Sequence, residues 1–161
     1  MYFSWHSHEE HCRAPKPMYA TPLASMPIRI LIVEDDPAGL LALTDAMRLK
    51  LGGATVEGVA SAEAALQLIG SKDYDCVMCD VVMPGMDGMT FLTTIRQLRP
   101  ELAVILMTAR DFHLKDQAIE RGAYAFLTKP LDVDVVVRTV APAARRTASL
   151  RDRADKSKGP H

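Results

Sequence analysis

CVMCDVVMPGMDG, residues 76–88, is an apolar run that ends on Asp80 and gives way to a loop rich in Pro and Gly. A short apolar run bounded by turn residues is how a strand buried on both faces of a parallel sheet reads. A new amphipathic segment opens at Gly88. Asp80 therefore stands at the carboxyl end of a buried strand, and in open α/β sheets that end carries the chemistry. Cys76 and Cys79 have C-x-x-C spacing, but three positions apart on a strand they point to opposite faces. Packing, rather than a zinc or redox site, is the expectation for both.

Working outward, the same alternation of strand and helix repeats on both sides. Ile28–Val33 (IRILIV) is an apolar strand closing on Glu34, Asp35 and Asp36, and Pro37 follows at a position suited to the first turn of a helix. Leu40, Leu43, Met47 and Leu51 line one face of that helix, and Gly52 and Gly53 stop it. Ala54–Ala60 is a weaker strand. Ser61 N-caps the next helix, Glu63 puts negative charge in its first turn, and Ala62, Ala65, Leu66 and Ile69 form its buried stripe. Beyond Asp80, a third helix from about Gly88 to Arg99 turns Leu92, Ile95 and Leu98 inward. Ala103–Met107 is a fourth strand closing on Thr108. Asp111–Arg121 is a short polar helix anchored by Leu114 and Ala118, and Tyr124–Thr128 is a fifth strand closing on Lys129 and Pro130. A last helix begins near Asp132 despite its β-branched valines, because each earlier strand leads into a helix. Pro142 is expected to kink or break it.

Five strands alternating with five helices imply an α/β fold: a doubly wound, flavodoxin-like parallel sheet with right-handed crossovers, helices on both faces and strand order 2-1-3-4-5. In that order the residues after strands one, three, four and five open onto one edge. Neighbouring strands lie about 4.7–4.9 Å apart, so the acids after strands one and three come close enough to share a cation. Such a cluster repels itself unless positive charge intervenes. Lys129 supplies one charge, and Mg²⁺, which takes a few carboxylates while keeping waters and phosphate oxygens, suits the remaining ligand set. A carboxylate so placed can attack a phosphoryl group and hold it as an acyl phosphate, with charge stabilisation from Mg²⁺ and Lys129 and a hydrogen bond from Thr108.

VEDD after the first strand, VVMPGMDG after the strand-terminal Asp80, MTA after the fourth strand and TKP after the fifth occur together in one order. In these motifs Ile28–Ala141 resembles the receiver domain of two-component response regulators. The resemblance implies that Asp80 accepts a phosphoryl group from the phosphohistidine of a histidine kinase or phosphotransfer protein, or from small phosphodonors. It implies that Glu34 and Asp35 hold Mg²⁺ together with Asp80 and the backbone carbonyl of Val82, with Asp36 a less certain ligand. Thr108 and Lys129 match the hydroxyl and the amine that contact the phosphoryl group, and the Lys129–Pro130 bond is expected to be cis. Phe126 stands at the switch aromatic. Phosphorylation would draw Thr108 toward the phosphate and let the Phe126 ring move, repacking the face of helix four, strand five and helix five for a downstream protein target. Val82 cannot orient a hydrolytic water and Arg110 is placed to cover the site, so slow self-dephosphorylation is expected.

Composition bounds the alternatives. With 161 residues, 48% hydrophobic and 24% charged, the chain has room for one core, expected over 27–141. A formal charge of −1 gives no global pull toward nucleic acid or membrane, and no apolar stretch is of spanning length. A cytoplasmic protein without a disulfide framework is the expectation from three cysteines and no signal sequence. Residues 1–26 lack either period and read as a disordered leader. His6, His8, His11 and Cys12 there lack a frame for a metal, and Met26 directly before the first strand offers a second start. Residues 142–161 read as a basic tail, partly helical or disordered. The roughly 20 residues after Ala141 are too few for a helix-turn-helix module, which argues against direct DNA binding. A haloacid-dehalogenase-type phosphohydrolase would want an Asp where Val82 stands. The remaining rival is a phosphate-independent interaction module of the same fold. Homodimerisation through the helix four to helix five face is left open.

Overall fold

The computed structural model describes residues 27–157. The readings placed on residues 1–26 and on 158–161 lie outside them.

The elements follow in the order β1 (Arg29–Val33), α1 (Pro37–Lys50), β2 (Thr55–Val59), α2 (Ala62–Ser71), β3 (Cys76–Asp80), α3 (Gly88–Leu98), β4 (Ala103–Thr108), α4 (Lys115–Glu120), β5 (Ala125–Thr128) and α5 (Val133–Ser157). The strands form one sheet in the order β2-β1-β3-β4-β5, and every neighbouring pair is parallel. This is the doubly wound order expected. β3 and β4 are buried along their whole length, which is why their sequences are continuous apolar runs rather than alternating ones.

Each face of the sheet carries its own core. Leu31, Val33, Val77, Cys79, Val104 and Leu106 pack against α2, α3 and α4. Ile30, Ile32, Cys76, Met78, Ile105 and Met107 pack against α1 and α5. Cys76 and Cys79 thus belong to opposite faces, and burial pushes both thiols up, away from reactivity.

Local chemistry sets the helix ends. Asp36 caps α1 by accepting from the Gly39 N–H at 2.7 Å, with Pro37 in the first turn. Ser61 caps α2 through the Ala64 N–H at 3.2 Å, and Asp87 caps α3 through the Thr90 N–H at 2.7 Å.

Three expectations fail. The segment 111–121 is a 3₁₀ turn at Phe112–Leu114 followed by α4, not one helix. Leu98 is 62% exposed. The buried stripe of α3 runs through Phe91, Leu92 and Ile95, and its next position on a 3.6-residue period is Arg99, where the helix ends. The helix also does not break at Pro142: α5 continues 15 residues beyond it, to Ser157. Packing outweighs the lost N–H. Ala143, Ala144, Thr147 and Ala148 are buried, the Thr147 hydroxyl accepts from the Ala103 N–H at 3.1 Å and meets the Glu101 carbonyl at 3.2 Å, and Arg151 lies 2.7 Å from Asp75. The basic tail, expected to be partly helical or disordered, is helix as far as Ser157.

Candidate phosphoryl and metal site

The site lies at the carboxyl edge of the sheet. Side chains alternate along a strand, so residues one step past those that face α2, α3 and α4 point to the α1 and α5 side. Glu34 follows Val33, Asp80 follows Cys79 and Lys129 follows Thr128, and the three meet: Lys129 Nζ donates to Glu34 Oε2 at 2.5 Å and to Asp80 Oδ2. Glu34 and Asp80 are 4% and 7% exposed. Asp35 is exposed, yet one carboxylate oxygen from each of Glu34, Asp35 and Asp80 lies within 4.8 Å of the others.

Three carboxylates face one ammonium, an excess of negative charge that burial makes expensive. Burial pushes the Glu34 carboxyl above its ordinary range, beyond what the Lys129 hydrogen bond and charge draw back. Burial alone would lower Lys129, but its bonds to Asp80 and Glu34 outweigh that and hold it above the usual lysine range. The donor set, all oxygen, fits a hard divalent cation.

Backbone geometry fixes the loop after β3. The Val81 N–H donates to the Met107 carbonyl at 2.8 Å, the Val82 N–H to Asp80 Oδ1 at 3.0 Å, and the Gly88 N–H to the Val81 carbonyl at 2.9 Å. A methyl group on Gly88 would overlap the Asp80 carbonyl and lie 2.8 Å from Val81 Cα, so glycine is what lets α3 start against the strand end. The Val82 side chain is 56% exposed.

Thr108 and Phe126 are on the other face of the sheet. Thr108 is fully buried, and its Oγ1 accepts from the N–H groups of Arg110 (3.3 Å) and Asp111 (3.1 Å), which leaves the hydroxyl proton free to be donated. Leu106 pairs with Phe126 and Thr108 with Thr128, so the half-buried Phe126 ring shares a face with Thr108 two positions up. The Lys129 N–H donates to the Thr108 carbonyl at 2.8 Å, and Lys129–Pro130 is cis.

Glu34, Asp35, Asp80 and Lys129 thus converge on the α1 side of the rim. Asp36 does not join them, because its carboxylate is spent on the α1 cap. Two features were not anticipated. A cleft of about 330 Å³ between α1 and the β5–α5 connection, lined by Ala42, Leu43, Pro130 and Leu131, opens beside Glu34 and Lys129. Glu63 reaches from α2 to the Met86 N–H at 2.9 Å. Its first-turn position was legible; its target, 23 residues away, was not.

Residues 30–141 match the family model described as the response regulator receiver domain. Among curated proteins the chain is similar to response regulator protein FleR of Pseudomonas aeruginosa, 42% identical over 119 residues covering 72% of this chain and 24% of FleR. It is also similar to transcriptional regulatory protein GlrR of Escherichia coli, 33% identical over 132 residues covering 81% of this chain and 29% of GlrR. The chain therefore spans less than a third of the length of these relatives. Among solved structures, a putative response regulator from Chloroflexus aurantiacus superposes with a TM-score of 0.68 at 34% identity, covering 74% of this chain and 98% of that one. A response regulator receiver domain from Clostridium thermocellum gives 0.70 at 26% identity, covering 76% and 98%. Among the described residues no helix is long and apolar enough to cross a membrane. Motifs, strand order, rim chemistry and these likenesses agree: the chain belongs to the response regulator receiver domain family.

Proposed function

We propose that this chain is a Mg²⁺-dependent phosphoryl receiver in which Asp80 is the acceptor, Thr108 and Lys129 contact the transferred group, and Glu34, Asp35, Asp80 and the Val82 carbonyl hold the cation. The observation that carries the reading is the rim itself, where one lysine bridges Glu34 and Asp80 with Asp35 in reach.

The donor class is a phosphohistidine on a histidine kinase or phosphotransfer protein. One Asp80 oxygen attacks phosphorus, the P–N bond breaks with its electron pair left on the imidazole nitrogen, and that nitrogen takes a proton from water. Asp80 is oriented for this by the Val82 N–H on Oδ1 and by Lys129 on Oδ2. The bound cation would supply charge neutralisation for the incoming phosphoryl oxygens. Lys129 stays charged across the physiological range and stabilises the negative charge gathering between donor and acceptor. The apolar cleft beside Lys129 gives the donor protein a surface to seat against while its histidine faces Asp80.

Output follows from the opposite face. The unspent Thr108 proton is donated to a phosphoryl oxygen on Asp80, the turn it braces at Arg110 and Asp111 shifts, and Phe126 repacks. The phosphoryl group favours the rearranged state only by the extra bond it makes there. A downstream target reads the α4, β5 and α5 surface, either in another protein or in a further domain such as those of the longer, transcription-regulating relatives.

Incubation with acetyl phosphate and Mg²⁺ followed by intact mass measurement tests the proposal. The expected result is a gain of one phosphoryl group, absent with EDTA and absent in Asp80→Ala. No gain in the wild type would leave a phosphate-independent interaction module of the same fold.

A further inference from the structure

The loop between β3 and α3 carries the Val82 carbonyl, yet its own bonds tie it down only at its two ends, at Val81–Val82 and at Asp87–Gly88. Between them, among the described residues, the side chain that hydrogen-bonds to the loop from outside is Glu63, through the Met86 N–H at 2.9 Å. Gly85 has φ +76°, and a Cβ there would lie 2.6 Å from Glu63 Oε1, so the carboxylate lies directly against the Gly85 backbone. Glu63 has a firm base: it sits in the first turn of α2, capped by Ser61 and seated through Ala62 and Ala65 in the core. Its own backbone N–H and that of Met86 hold the carboxyl below its ordinary range, keeping it ionised as an acceptor.

We propose that Glu63 is a positioning residue for the metal site, a strut from α2 that holds the 81–88 loop where the Val82 backbone can face the cation shared by Glu34, Asp35 and Asp80. The inference rests on the reading of that site as a Mg²⁺-dependent phosphoryl receiver. Glu63 touches neither phosphate nor metal. It acts by removing loop conformations in which the rim has carboxylates but no fourth oxygen, so the cation binds without first ordering the loop. A lone helix-capping role would stabilise α2 and leave the cation indifferent.

The test is a Mg²⁺ titration of the full chain followed by the amide resonances of Val82 and Met86, with amide exchange measured on the same samples. In Glu63→Ala the Met86 amide is expected to exchange faster and the Mg²⁺ dissociation constant to rise on the order of tenfold, the low end for an outer-shell partner. Glu63→Gln keeps an acceptor oxygen and should stay within about twofold of wild type, since one neutral hydrogen bond replaces one to a charged group. Faster Met86 exchange in Glu63→Ala with an unchanged dissociation constant would reduce the contact to loop packing and overturn the inference alone. A wild-type chain whose Val82 amide ignores Mg²⁺ would overturn it together with the metal-site reading.

Discussion

β3 has an aspartate at each end, and the two have opposite fates. Asp75, just before the strand, is fully buried, takes the Arg29 N–H at 2.8 Å on Oδ2, and faces the Arg151 guanidinium, 2.7 Å from Oδ1. One negative charge meets one positive charge and one amide, so the charges balance, although Asp75 Oδ1 and Arg151 Nη1 face each other at ion-pair distance without hydrogen-bond geometry. Asp80, at the other end and almost as buried, shares one lysine with Glu34 while Asp35 crowds in. Burial does not distinguish these ends; charge balance does. The neutralised end holds the fold together, with Thr147 satisfying the first amide of β4 beside it, whereas the unbalanced end is left to bind something.

The largest effect should come from breaking the closed end. Arg151→Ala leaves Asp75 buried and uncompensated, which for a buried pair costs about 3–5 kcal/mol; urea denaturation should show a loss near the lower figure, since Arg151 is partly solvated. A loss under about 1 kcal/mol would mean that Asp75 is held by the Arg29 amide alone. The pH dependence carries a sign. Burial raises Asp75 above its ordinary 3.8 against the pull of the Arg29 amide and the Arg151 charge, so the folded state binds this proton more tightly than the unfolded one. The contribution of Asp75 to stability is therefore greatest below 3.8 and declines as pH climbs through the folded value. Removing Arg151 raises that folded value further, so the deficit of Arg151→Ala should grow with pH and vanish in acid.

At the other end the same kind of change should have the opposite sign. In Mg²⁺-free buffer Asp80→Asn relieves a three-carboxylate cluster and is expected to raise stability by about 1 kcal/mol, as replacements at strained functional sites do. Mg²⁺ should then reverse the ranking. At a hundredfold its dissociation constant it adds about 2.7 kcal/mol to a protein that binds it only when folded, and Asp80→Asn forfeits most of that. Thermal unfolding with and without the ion decides it. An Asp80→Asn chain less stable than wild type without Mg²⁺ would make Asp80 a structural residue like Asp75.

The two ends also differ in how far the sequence disclosed them. The rim was legible because each of its groups ends a strand or directly follows one, so Glu34, Asp80, Thr108 and Lys129 announce themselves as polar residues closing apolar runs. Parallel order then brings them together without side-chain detail. The closed end depends on pairings across 46 residues for Arg29 with Asp75 and 76 for Asp75 with Arg151, and nothing in local pattern marks either. Pro142 hid it further. Read locally, a proline inside a helix is a stop, but the helix survives because Ala143, Ala144 and Thr147 gain more from packing under the sheet than one missing hydrogen bond removes. Leu98 failed for a related reason: its residue type suggested burial, while the phase of α3 gives the inner position to Arg99, which reaches the Ile69 carbonyl at 3.3 Å.

The smallest effect concerns water. Two residues after Asp75 stands Val77, fully buried, and two after Asp80 stands Val82, 56% exposed. Solvent therefore reaches the side chain beside the acyl phosphate proposed at Asp80, and the lifetime of that group depends on whether anything there aligns a water for attack on phosphorus. An isopropyl group has neither donor nor acceptor, so the wild-type phosphoprotein should lose its phosphoryl group slowly. Val82→Asn places an amide on the same exposed stem and keeps the Val82 N–H bond to Asp80 Oδ1, because that bond is made by backbone. Hydrolysis should accelerate roughly threefold to tenfold, a barrier change of at most about 1.4 kcal/mol. Decay of the phosphorylated mass after removal of acetyl phosphate measures it. An unchanged rate in Val82→Asn would place control of the water with the Arg110 side of the rim, where the backbone is already held by the Thr108 hydroxyl.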